Sequence, residues 1–255
     1  ICEKFKTDFD CSYRTVANYV AERKKQIFSK SVASLPLEHI AGEAQVDFGE
    51  AEFFLFCSRI TGKYLSVDFP HSNMGYLQLF YGETLECLMQ GLVNIFNHIG
   101  GVPKRMWFDN ASSMVSSILK NGERTLTEGF IRFKNHFGFE AAFCNAARGQ
   151  EKGAVENKVG YLRRNRLVPV PKFLDIHKFN EELLRECEKD ALRGHYKKET
   201  YISELFKDDI KALMVLPNMN FEASRYEFVK TDAYGKFKLN KGMHQYSTAP
   251  KYAKS

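Results

Sequence analysis

The sequence predicts an α/β protein whose core is a five-stranded sheet flanked by helices, on three observations. Between Gly42 and Phe80 the chain alternates or is rich in β-branched and aromatic residues, with short turns, as an antiparallel meander of three strands would. Glu83 to Ile99 then carries Leu85, Leu88, Met89, Leu92, Ile95 and Phe96 at helical spacing, facing inward, and stops at Gly100–Gly101. From there strand and helix patterns alternate through KRMWF, LTEGFIRFKNHF, FEAAFC and the segment after Ala154. The order is three strands, helix, strand, helix, strand, helix.

Composition fits that class. A chain of 255 residues can bury a full core and carry appendages, and 44% hydrophobic with 27% charged residues is ordinary for a globular protein. No apolar run approaches the roughly 20 residues that cross a bilayer, and no secretory leader is present, so a cytoplasmic protein is expected. An opening Ile1 in place of Met suggests a piece of a longer chain. The six cysteines are scattered without a C-x-x-C pair and the seven histidines form no H-x₃-H group. Structural zinc is therefore not expected, and the cysteines read as reduced thiols in core positions. A net charge of +6 permits nucleic-acid binding without requiring it.

Taken in order, Ile1 to Phe9 has apolar residues four apart and reads as a short helix. Asp10–Cys11 is a turn, and Ser12 is the expected N-cap of a second helix, SYRTVANYVAERKKQIF, with Val16, Tyr19, Val20, Arg23 and Ile27 as its buried side. Such a pair is either the end of a helix-turn-helix DNA-binding domain (residues 1–29) or a plain helical hairpin. A basic linker (30–41) follows. In the core (42–168), EAQVDFGE puts Ala44, Val46 and Phe48 on one face and Gln45, Asp47 and Gly49 on the other. A turn is expected at Thr61–Gly62. KRMWF runs into Asp109, at the C-terminal end of a buried strand, where α/β folds place ligand groups. Two mostly polar helices, about Asp175 to Arg193 and Glu199 to Leu213, make a connector (169–216). The tail (217–255), with turns at Tyr234–Gly235 and Asn240–Gly242, reads as part of a small β-barrel.

The most informative stretch is Arg148 to Arg166, RGQEKGAVENKVGYLRRNR. It is a loop running into a helix, with Val155, Val159 and Leu162 as one packing stripe and Glu156 at its margin. Lys152 and Arg163 lie at i−4 and i+7 from Glu156, and Gly160 at i+4 removes bulk beside it. An isolated helix of this kind is more simply a solvated one whose Glu pairs with neighbouring Lys. Two upstream acids, Asp47 and Asp109, change that reading. If the fourth strand lies beside the first, both aspartates reach one edge and the last helix brings Glu156 over it. Two carboxylate charges 4 Å apart repel by about 4 kcal/mol at an effective dielectric of about 20. Such a cluster therefore persists with bound cations or raised pKa values. Oxygen-only ligands suit Mg²⁺ or Mn²⁺, and a pair of such ions serves phosphodiester chemistry. Glu50, Glu52 and Asp68 read as solvated strand or turn residues, with Asp68 the substitute should Asp47 not take part. No G-x-S-x-G or P-loop context is present.

QVDFGE, the strand ending WFDN, and GQEKGAVENKVGYLRRN together resemble the three acidic blocks of the DDE transposase and retroviral integrase superfamily. They are closest to the IstA-type transposases of bacterial insertion sequences. SYRTVANYV and YGKFKLNKGMHQYSTAP extend the resemblance over nearly the whole chain. The resemblance implies an RNase H-like (integrase catalytic core) fold and Asp47, Asp109 and Glu156 as a triad binding two Mg²⁺ ions, with Mn²⁺ able to substitute. It implies cleavage at transposon ends and transfer of the 3′-ends into target DNA. It further implies at least a dimer on paired ends, an AAA+ ATPase helper of the IstB type, and a nucleoid-associated place in a bacterial cytoplasm. Arg163 would match a basic residue gripping the terminal phosphates. Arg148, Lys152, Lys158 and Arg164 would hold further phosphates, and Arg14 and Asn18 would read bases. The gap between the second and third acids is longer than in retroviral integrases, so an insertion is expected around Ile118 to Arg124. Two other functions fit the same fold: an RNase H-like or resolvase-like nuclease that cuts without joining, and a DNA-binding protein without a working site.

Overall fold

The computed structural model describes residues 12–28, 39–108, 114–118, 124–143, 153–226, 228–239, 244–249 and 251. The chain divides into two units, residues 1–38 and 39–255.

In the first unit the described element is helix α1 (Tyr13–Phe28). Ser12 caps it as expected: the Thr15 amide donates to Ser12 Oγ at 3.2 Å. Of its expected buried side, Tyr19 is 61% and Val20 42% exposed, and Val16 is half-buried. A helical stripe is a property of the sequence, whereas burial needs a neighbouring surface to cover it. The helix and turn expected over Ile1 to Cys11 lie outside the described residues.

The second unit is built on β1 (Glu43–Leu55), β2 (Ser58–Phe69), β3 (Met74–Phe80), α2 (Leu85–Ile99), β4 (Arg105–Phe108), β5 (Val115–Ile118), β6 (Arg124–Leu126), α3 (Glu128–Phe137), β7 (Glu140–Phe143) and α4 (Gly153–Arg166). It continues through β8 (Lys172–Phe173), α5 (Ile176–Glu188), a 3-10 turn (Lys189–Leu192), α6 (Ile202–Ala212), β9 (Lys236–Leu239) and β10 (His244–Ser247). The main sheet has the order β3-β2-β1-β4-β7, with β1, β2 and β3 antiparallel and β4 and β7 parallel to β1. With β8 paired to β1 off this path the sheet has six strands, and its five-strand path is the mixed, helix-flanked sheet expected of an RNase H-like core. β5 and β6 pair antiparallel on either side of residues 119–123. β9 and β10 form a separate two-stranded sheet in the tail.

Another expectation fails. The β1–β2 turn is at Phe56–Cys57, with φ of 48° and 67°, and not at Thr61–Gly62. Two consecutive left-handed residues make the tight turn that matches strand twist, but that geometry normally draws Asn-Gly, so Phe-Cys gives no signal of it. Gly62 instead lies inside β2, where a Cβ would stand 2.4 Å from the Phe80 carbonyl oxygen and 2.6 Å from the Phe53 ring. It is a glycine for close approach, and Cys57 is exposed rather than in the core.

Helices cover both faces of the sheet. On one, α2 buries Leu88, Met89, Leu92, Ile95 and Phe96, five of the six residues predicted to face inward; the sixth, Leu85, is half-buried. Thr84 caps that helix through the Cys87 amide. Phe108 meets Phe130, Phe139 and Phe143 in an aromatic cluster on the Val46 face. On the other face α4 and α5 lie over β2 and β3. Beside the edge strand β3, the Asn180 amide accepts the Leu79 N–H at 2.7 Å and donates to the Leu79 carbonyl at 2.9 Å. A side chain thus takes the place of a further strand. Opposite β2, β1 pairs with β4 only over Glu43–Val46 and with β8 only over Phe54–Leu55. From Asp47 to Phe53 that side of β1 has no ladder partner among the described strands. The Pro171 carbonyl accepts the Phe54 N–H at 2.8 Å and fixes the far end.

Candidate active site

The register decides which side chains share a face. Gln45, Asp47 and Gly49 stand opposite Asp68, Ser66 and Tyr64 of β2, and Gln45 stands level with Trp107 of β4. Paired residues project to the same side, so this polar row lies on the α4 and α5 side while Ala44 and Val46 enter the core. Asp47 is half-buried, and its Oδ1 accepts the Phe48 N–H at 2.8 Å, which fixes the plane of the carboxylate on the strand. β4 ends with Phe108 opposite Val46, one residue before Asp47 on β1 and one before Asp109 in the chain. Asp109 itself lies outside the described residues.

Position 156 is on α4, two turns and about 10 Å before Arg163 on the same side of the helix; the Glu156 side chain is outside the described part. Near its C-terminal end, α4 is anchored firmly. Leu162 is fully buried. Arg166 donates to Asp190 Oδ1 at 2.8 Å, and the Arg193 guanidinium lies 4.3 Å from the Tyr161 ring centroid. Arg163 and Arg164 are exposed. A Cβ at Gly160 would sit 3.2 Å from Arg164 Nη1, and the space expected beside Glu156 lies outside the described side chains.

Tyr64 links strand and helix electrostatically. Its phenol is pushed up by burial and by the Asp47 carboxylate, while the Arg163 guanidinium pulls the other way. Asp47 and Arg163, 116 residues apart in the chain, therefore act on one hydroxyl. Asp68 is not the solvated residue expected: it is buried, with Ser66 Oγ donating to its Oδ2. Glu43, also buried, accepts Trp107 Nε1 at 3.2 Å and contacts His39 at 3.1 Å and Arg105 at 3.3 Å. That network knits the β1–β4 pair just below Asp47, and no local pattern of residues signals it.

Of the other expected DNA contacts, Arg14 and Asn18 are exposed on α1, in the other unit. Arg148 and Lys152 lie outside the described residues, as does the side chain of Lys158. Among the described residues no group of three His, Cys, Asp or Glu side chains gathers to hold a metal. Asp47 by its chemistry is a carboxylate suited to a hard cation.

What this sheet and polar row belong to is indicated by sequence. No family model matches the chain. It is 31% identical over 223 residues to the transposase for insertion sequences IS1326/IS1353 of Pseudomonas aeruginosa, covering 82% of this chain and 43% of that protein. It is 27% identical over 205 residues to the transposase for insertion sequence element IS21 of the same organism, covering 75% and 50%. The simian T-cell lymphotropic virus intasome structure, in complex with PP2A regulatory subunit B56 gamma, contains a similar chain at 13% identity and a TM-score of 0.48, covering 83% of this chain and 69% of that one. The chain is thus a relative of the insertion-sequence transposases, as its three acidic blocks suggested. The IS21 transposase is among those relatives, and the chain spans about half the length of the curated relatives it matches.

Proposed function

We propose that the chain is the catalytic part of a DNA transposase that cleaves at the ends of an insertion sequence and joins the 3′-ends to target DNA. The observation that carries the reading is similarity to insertion-sequence transposases over 82% of this chain, a region that includes a core with Asp47 and α4 on one face of the sheet. Asp47, Asp109 and Glu156 would hold two Mg²⁺ ions, for which Mn²⁺ would substitute. Such ions supply, when bound, the charge that activates an attacking oxygen and stabilises a leaving one. The remaining work falls to this chain's side chains. Asp47 is presented from a strand with its carboxylate plane fixed. Arg163 and Arg164, with Arg148, Lys152 and Lys158, hold phosphates, giving affinity that is salt-sensitive and largely independent of sequence. Arg14 and Asn18 of α1 read bases at the element's ends.

The partners of this reading are transposon-end DNA, target DNA, a second copy of the chain on paired ends, and an IstB-type AAA+ ATPase, in a bacterial cytoplasm at the nucleoid. No described helix is long and apolar enough to cross a membrane. The test is the purified protein with MgCl₂ and labelled end DNA. It should nick and then join strands, and Asp47→Asn, Asp109→Asn and Glu156→Gln should each abolish both steps while DNA binding persists. Nicking without joining would favour a resolvase-like nuclease. Binding with neither step, unaffected by these substitutions, would favour a scaffold without a working site.

A further inference from the structure

Tyr64 stands on the row of Asp47 without having figured among the expected site residues. It faces Gly49 across the β1–β2 ladder, and a Cβ at Gly49 would lie 2.1 Å from the Tyr64 hydroxyl oxygen and 2.2 Å from its ring carbon Cζ. Only a glycine allows the phenol to lie flat across β1 there. The ring is held at 6% exposure, and its hydroxyl ends over the residue two places beyond Asp47 on the same face. α4 packs over β2, and its exposed Arg163 is near enough for its charge to act on the phenol. A phenol keeps its proton at neutral pH, so this oxygen has one to donate. A buried tyrosine hydroxyl normally finds a partner, and a phenol and a guanidinium both offer protons to an oxyanion.

We propose that Tyr64 and Arg163 form a two-donor seat for one backbone phosphate of DNA beside Asp47, with Gly49 as the gap that lets the phenol reach it. The seat rests on the reading of this chain as a DNA-processing protein. It adds a neutral donor to the charged ones and gives the glycine of the QVDFGE segment a physical role. Arg163 supplies charge, and with it counterion release. Tyr64 supplies direction, because its ring has no freedom to turn away from the strand.

The experiment is binding of end DNA by the full chain in EDTA, where no metal contributes, for wild type, Tyr64→Phe, Arg163→Ala and the double variant. Tyr64→Phe keeps the ring, and a thermal melt checks that it keeps the fold. It should bind about tenfold more weakly, the loss of one hydrogen bond to a charged group, with the salt slope unchanged. Arg163→Ala should lower the slope of log K against log salt by about 0.9. The double variant should lose less than the product of the two single losses, because both donors serve one phosphate. Wild-type affinity in Tyr64→Phe, or losses that multiply fully, would overturn the seat. If Asp47→Asn still abolishes cutting in that case, the transposase reading survives and only the role of Tyr64 is lost. Should the wild type fail to bind DNA at all, both are refuted.

Discussion

Replacing Asp190 with Asn tests whether the helix bearing position 156 depends on one buried carboxylate. Asp190 is 5% exposed and accepts a bond from Arg166 Nη2 at 2.8 Å, while Arg166 is 17% exposed. Arg193 Nη2 lies 3.7 Å from its other oxygen. The amide preserves shape and removes the charge, leaving two guanidinium groups facing a neutral side chain. Breaking a buried pair from one side costs about 3–5 kcal/mol. Glu186, 3.8 Å from Arg166 Nη1, remains as a partial substitute, so the lower end, about 3 kcal/mol, is expected. For a unit of this size each kcal/mol moves the melting temperature by about 2–4 °C, giving a fall of about 6–12 °C. Calorimetric melting measures the fall, and hydrogen exchange over residues 153–166 locates it. Cutting of DNA should decline more than binding. A melting temperature within about 2 °C of wild type, or unchanged protection in α4, would refute the idea that Asp190 fixes this helix.

Phe56→Asn combined with Cys57→Gly should stabilise the protein by about 1–2 kcal/mol, because both positions have positive φ; a rise in the denaturant midpoint checks it. Asn180→Leu strands the buried Leu79 N–H and C=O, so it should cost about 3 kcal/mol and promote association through the uncovered β3 edge, measured by denaturant titration and by light scattering. Burial pushes the Asp209 carboxyl up despite bonds from Ser72 and the Gly42 amide. Its folded form therefore binds a proton more readily than the unfolded chain. That contribution is complete below the unfolded value of 3.8 and is lost as pH rises through the elevated one. Asp209→Asn should accordingly match or exceed wild-type stability at neutral pH, with the difference shrinking as pH falls, as paired denaturant curves would show. Gly49→Ala should displace the Tyr64 ring and weaken DNA binding at least as much as Tyr64→Phe, read by the same titration in EDTA.

Much of this architecture is written locally. Alternation in EAQVDFGE put Asp47 on the face opposite Val46, and the apolar spacing of α2 named its buried side, because period two and period 3.6 are properties of a few adjacent residues. Register is not local. With the turn assigned to Thr61–Gly62, Tyr64 could not be placed opposite Gly49; a turn at Phe56–Cys57 sets that pairing at once, but its residue types give no cue. Asp190, Asn180 and Glu43 escaped notice for a related reason. Their partners Arg166, Leu79 and Trp107 are remote in sequence, and a lone polar residue in a helix or strand reads as solvated until the chain is folded around it. On α1 the failure ran the other way, since a periodic stripe promised a burial that Tyr19 and Val20 do not have.

The broken ladder along β1 carries one more consequence. Asp47 is the first residue past the end of the β4 pairing, and the next strand contact on that flank comes at Phe54. Among the described strands β2 alone pairs with the backbone that carries this carboxylate, so small bending of β1 can adjust its position without any helix having to move. Substrate entry could then tune the centre through the strand itself, and slower amide exchange from Phe48 to Phe53 on loading DNA would be its signature.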